Sequence, residues 1–175
     1  MDYRPHYPMP LRVLSTVIDI TLVLGGLSIV ILVFTNALLR GAAGFDLAWS
    51  LEVTAFLLLW TTFLGAAAAM ARGAHMRVTE IVENLVPRIA QGWLALVIDL
   101  IILAMLASLI WYGVSIASHS WAQKTTVLYW PVGLLYASMP VGMACALVFH
   151  IYNLIRDWRH PAEWAAEDTD TGAPL

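Results

Sequence analysis

Four stretches of this 175-residue chain, 20–39, 53–71, 100–117 and 131–155, contain no aspartate, glutamate, lysine or arginine. Each is close to the ~20 apolar residues that an α-helix needs to cross a hydrocarbon core of about 30 Å. Inside a bilayer no water is present to satisfy peptide N–H and C=O groups, and a helix satisfies them within one segment. The chain therefore reads as an all-α integral membrane protein with four transmembrane helices. Composition agrees: 61% of residues are hydrophobic and 12% charged, against about 25% charged in an ordinary soluble domain.

With flanking residues added, the spans are expected at about 13–39, 49–71, 91–117 and 131–155, forming one membrane domain over 13–155. Residues 1–12 precede it, and the acidic stretch "EWAAEDTDTGAPL" ends a tail over 156–175 whose composition predicts disorder. The first run is too long for a signal-peptide core and lacks a small-residue cleavage site, so it is read as a retained anchor. Between spans two and three, Val78, Ile81, Val82 and Leu85 fall at helical spacing, opposite Arg77, Glu80, Glu83 and Asn84, before Pro87. That pattern predicts a short amphipathic helix over about 76–86, too short to span and suited to the interface. Cys145 is the only cysteine, so no internal disulfide and no cysteine metal cluster can form.

Orientation follows from the basic residues. With the N-terminus in the cytoplasm, inner segments hold Arg4, Arg12, Arg72, Arg77, Arg88, Arg156 and Arg159, and outer loops hold Arg40 and Lys124. This asymmetry places both termini on the cytoplasmic side of a multi-pass inner-membrane protein. Trp121, Tyr129 and Trp130 surround the short outer loop between spans three and four, at the depth that amphipathic rings prefer.

The stretch "FLGAAAAMARGAHMRV" (63–78) changes chemistry abruptly. Gly65 and the alanines at 66–69 and 71 leave almost no side-chain volume, so a helix carrying them can approach another closely. Gly65 and Ala69, four residues apart, mark the expected docking face. Arg72 and His75 then supply charge where the span meets water.

Polar groups inside the spans are the candidates for chemistry. Asp19 lies about six residues inside span one, and Asp99 about six inside span three if that helix starts near Trp93, or about 9 Å below the end at 1.5 Å per residue, and His150 is comparably deep. Such residues face a protein interior or water. They read either as a proton or ion relay or, with the larger weight, as a polar packing cluster. Glu52, near the start of span two, favours the positive end of the helix dipole and can pair with Arg40.

Four segments together carry a resemblance. "NALLR" (36–40), "WSLE" (49–52) and "LLLWTTFLGAAAAMARGAHMRV" (57–78), with Trp60, Phe63, Gly65, Ala66, Arg72 and His75, precede "TTVLYWPVGLLYASMPVGM" (125–143), with Pro131, Tyr136, Pro140 and Gly142. In order and spacing they are similar to the small (Q-type) permease subunit of tripartite ATP-independent periplasmic (TRAP) transporters. Ser50 and Leu51 precede Glu52 where family members often carry an acidic pair.

The resemblance implies a non-enzymatic scaffold beside a large permease subunit. A periplasmic solute-binding protein would deliver organic anions such as dicarboxylates, keto acids or sialic acids, imported with an ion gradient. It makes Arg40, Glu52, Trp60, Gly65, Ala69, Arg72 and His75 candidates for the partner interface or its support. It implies no cofactor, no metal and no partner besides these proteins and the lipid bilayer.

Two other readings use the same residues. A haem-carrying respiratory anchor would use His75 and His150 as axial ligands. An autonomous proton-coupled transporter would use Glu52 or Asp99 as carrier. No phosphate-binding loop, HExxH motif or nucleophile elbow is present, and the dispersed arginines form no stripe for nucleic acid.

Overall fold

The computed structural model describes residues 3–73 and 88–159. The expected helix over 76–86, His75 and the tail beyond residue 159 lie outside the described residues. A 3-10 turn, Arg4–His6, leads into α1 (Met9–Ala43), α2 (Ala48–Ala71), α3 (Arg88–His119), a short α4 (Val132–Tyr136) and α5 (Ser138–Arg159). Among the described residues the only strand-like pairing is an isolated bridge between Lys124 and Pro131. Four segments are long and apolar enough to cross a membrane, the fourth running through α4 and α5.

Local chemistry sets the breaks. Pro10 sits in the first turn of α1, where a missing N–H leaves no hydrogen bond unmade. Gly44 ends that helix at φ 64°, donating its N–H to the Leu39 carbonyl, a left-handed cap that favours glycine. The apolar run 131–155 is not one uninterrupted helix: the chain turns at Ala137 between α4 and α5. Pro140 explains this, because it offers no N–H to the Tyr136 carbonyl and its ring crowds that oxygen.

The helices stand in a row. α1 packs on α2, α2 on α5, and α5 on α3, with α4 against the end of α3. α1 and α3 are the outer members, and α1 turns a narrow stripe with Ser15, Ile18 and Gly25 inward while Val17, Val23, Leu27, Val30 and Phe34 stay exposed. The core lies between α2, α5 and α3 and includes Leu64, Ala67, Ala71, Leu106, Met143 and Ala146, with Phe149 fully buried.

Apolar side chains gain little from leaving lipid, so close packing must hold such helices together. Two glycines of the core show how close. A Cβ built on Gly142 would stand 2.6 Å from Phe63 Cβ and 2.7 Å from the Phe63 carbonyl carbon and oxygen; one on Gly113 would stand 2.9 Å from Pro140 Cδ. The α2–α5 and α3–α5 crossings are thus backbone-to-backbone contacts.

One end of the row carries Arg4, Arg12, Arg72 and Arg156, and is called the basic end below. The far end carries Arg40, Lys124 and the connections α1–α2 and α3–α4.

Candidate functional site

At the basic end Asp19 is a crossing point. Its Oδ2 accepts from Arg4 Nη1 at 3.0 Å and its Oδ1 accepts from Arg72 Nη2. One carboxylate therefore ties the N-terminal turn, α1 and the end of α2. All three groups are partly exposed, so each pair adds little stability by itself, but together they fix the relative register of three segments.

Beside this clasp lies a buried network that the sequence reading did not single out. Tyr7, 3% exposed, stacks on Phe149 with centroids 5.6 Å apart and meets Tyr152 edge-on at 5.2 Å. Its hydroxyl donates to Asn153 Oδ1 at 2.9 Å and also faces the Ala71 carbonyl at 3.2 Å. Asn153 Nδ2 donates to the Met70 carbonyl at 3.1 Å, and the Tyr152 hydroxyl donates to the His6 carbonyl at 3.2 Å. The last carbonyls of a helix have no partners within it; here Tyr7 and Asn153 supply them for α2. Tyr3 and Tyr7 are thus packed into the core instead of trailing from the helices. The available signal was a lone asparagine near the end of the last span, a residue type that seeks nearby backbone.

Asp99 and His150 come together, but apart from Asp19. The buried His150 places Nε2 3.3 Å from the Asp99 carbonyl oxygen and 4.0 Å from Asp99 Oδ1. Among the described contacts, Asp19 ties α1, α2 and the N-terminal turn, and Asp99 with His150 ties α3 and α5. His150 faces Asp99, and His75, the other haem-ligand candidate, lies outside the described residues.

At the far end Glu52 does not pair with Arg40. Its Oε1 accepts from Thr126 Oγ1 at 2.9 Å and from the Val127 N–H at 2.8 Å, and its Oε2 accepts from the Leu128 N–H at 2.8 Å. One turn further along α2, Phe56 meets Trp130 edge-on at 5.6 Å. Glu52 and Phe56 together hold the α3–α4 loop, which also closes on itself through Thr125 N–H to the Trp130 carbonyl at 2.9 Å and Trp130 N–H to Thr125 Oγ1 at 3.0 Å. At its tip Tyr129 adopts φ 56° with its ring 69% exposed. Glu52→Ala removes both carboxylate oxygens, and with them all three hydrogen bonds, while leaving α2 intact. The expected result is faster amide hydrogen exchange at Val127 and Leu128 with unchanged helicity; unaltered protection there would mean that the Thr125–Trp130 bonds alone hold the loop.

Other candidates take plainer positions. Asn36, the first residue of "NALLR", accepts the Leu47 N–H at 2.8 Å and so fastens α1 to the start of α2. Trp60 is half-buried beside Phe56 at 5.8 Å, and its Nε1–H is buried without an acceptor among the described residues. A Cβ on Gly65 would meet only Leu22 Cδ2, at 3.9 Å, so the tightest approach of the small-residue run is not there. Ala67, Ala68 and Ala71 are buried in the core, while Gly65 and Ala69 are half-buried. No group of three or more histidine, cysteine, aspartate or glutamate residues placed to hold a metal occurs among the described residues.

Four helical segments long and apolar enough to cross a membrane suit a membrane component, and comparison with known proteins agrees. Over 73 residues the chain is 34% identical to a Haemophilus influenzae protein provisionally named a TRAP transporter small permease protein, a match covering 42% of this chain and 45% of that one. The matched region thus spans less than half the length of that relative. Residues 29–160 match the family described as tripartite ATP-independent periplasmic transporters, DctQ component. The chain belongs to this DctQ-component family, whose members are parts of transporters and not enzymes.

Proposed function

We propose that this protein is the static scaffold of a TRAP-type secondary transporter. In this reading it holds a large permease subunit in the bacterial inner membrane, and a periplasmic solute-binding protein delivers an organic anion of dicarboxylate, keto acid or sialic acid type. Both termini face the cytoplasm. Support for the orientation is the gathering of Arg4, Arg12, Arg72 and Arg156 at one end of the row, against Arg40 and Lys124 at the other.

The observation that carries the scaffold role is the fate of the acids. Asp19 is held between two arginines, Glu52 accepts three hydrogen bonds from one loop, and Asp99 faces His150. Each tie joins elements of this chain to one another. An ion carrier needs a group that alternates between partners or exposure, whereas these groups fix geometry.

Asp99→Asn tests this directly. It removes a charge but keeps the backbone carbonyl that His150 contacts. Uptake into proteoliposomes holding verified complex with the large subunit is expected to retain its dependence on sodium and pH gradients. An assembled complex with altered ion coupling would make this subunit part of the ion pathway.

A further inference from the structure

Between the far ends of α1 and α2 lies an open groove of about 410 Å3, within the roughly 300–1,000 Å3 of small-molecule sites. Its polar lining consists of Arg40, Asn36, Ser50 and Thr54. These residues are rich in donors that find no acceptor among the described residues. Arg40 makes no ion pair or hydrogen bond among the described residues. Asn36 spends its Oδ1 on the Leu47 N–H, which leaves its Nδ2 donors over.

The two hydroxyls add to this. Ser50 is 2% exposed overall, yet it lines the groove and its hydroxyl has no partner among the described residues. Thr16, Thr21, Thr61 and Thr62 return their hydroxyls to carbonyls four residues back, as threonine in an apolar helix does. Thr54 does not. The first turn of α2 above them has no side-chain cap, so its N–H groups also favour negative charge.

Among the described residues no carboxylate lines the groove, and Val33, Ala37 and Leu51 make its walls apolar. Arg40 lines it together with Ala37 and Val33, one and two turns earlier on α1, the direction in which helical side chains lean. An occupant must therefore be an oxyanion with an apolar body, at the depth where a transmembrane helix ends.

We infer that this groove binds one anionic phospholipid, whose phosphodiester accepts from Arg40, Ser50, Thr54 and Asn36 and whose acyl chains run down the exposed faces of Val33 and Ala37. A guanidinium supplies charge-assisted bonds to phosphate oxygens, and the hydroxyls complete a cradle that water alone would fill poorly beside apolar walls.

The test is native mass spectrometry of the purified full-length chain titrated with phosphatidylglycerol. One lipid per chain is expected to survive detergent removal, in preference to phosphatidylcholine. The double variant Arg40→Gln, Thr54→Val is expected to bind about tenfold more weakly, while Thr62→Val, whose hydroxyl is already spent on its own helix, binds as before. Equal binding by the double variant overturns the proposal. Displacement of the lipid by millimolar inorganic phosphate also overturns it, in favour of a free anion. A large permease subunit that expels the lipid on assembly, with Arg40→Gln lowering complex yield, would assign the groove to protein instead. If the double variant loses helicity, the wild-type chain decides: no preference for phosphatidylglycerol over phosphatidylcholine overturns the proposal.

Discussion

Adding a single methyl group at Gly142 is expected to destabilise the protein by about 1–3 kcal/mol, the usual cost of overpacking a tight core. The new Cβ would stand 2.6–2.7 Å from Phe63 Cβ, C and O. Two of those three atoms are backbone, so no rotamer change can clear them. The helices α2 and α5 must separate, and this pair forms the most extensive contact in the row. Gly65→Ala is the control. Its Cβ meets one flexible leucine tip at 3.9 Å, an ordinary contact, so stability should move by no more than about 0.5 kcal/mol. Unfolding in mixed micelles with increasing denaturing detergent measures both. Equal stability of Gly142→Ala and wild type would show that the α2–α5 crossing is looser than its geometry implies.

The contrast between these glycines shows what a sequence of this kind reveals. A hydrophobic run is legible because the bilayer imposes its length on any helix that crosses it, and the four spans follow from that constraint alone. The small-residue stretch at 65–71 was equally visible as a place where helices approach. Which partner it approaches was not, because small residues permit contact on any face. Ala67, Ala68 and Ala71 are spent within the chain, against its own core. The matching glycine, Gly142, was in view as part of a resemblance, without the Phe63 backbone that gives it a purpose.

Charged residues followed the same rule. Asp19, Glu52 and Asp99 stood out because charge in a span is costly, yet their partners lie far along the chain. Glu52 binds a loop 74–76 residues away, and no spacing rule connects them. Arg40 looked like its partner by nearness of span ends, and the structure leaves that arginine facing a groove instead. The break at Ala137 was within reach of sequence, since a proline nine residues into an apolar run removes a helix hydrogen bond wherever it falls.

The network at the basic end offers the sharpest energetic test, because its hydrogen bonds share one proton. Tyr7 faces both Asn153 Oδ1 and the Ala71 carbonyl. Tyr7→Phe keeps the ring that stacks on Phe149 and deletes only the hydroxyl, leaving two buried acceptors short of a donor. A single unsatisfied buried group costs about 1–3 kcal/mol, so this variant is expected to lose about 2–3 kcal/mol. Asn153→Leu should cost less. The Tyr7 hydroxyl can then turn wholly to Ala71, and the Met70 carbonyl keeps the Gly73 N–H at 3.2 Å. Once Asn153 is gone, deleting the hydroxyl strands one acceptor instead of two. The double variant should therefore be more stable than the sum of the single losses implies, with a coupling within the roughly 0.5–3 kcal/mol range of contacting pairs. Strictly additive losses in the same micelle unfolding experiment would mean that Tyr7 and Asn153 cap α2 independently.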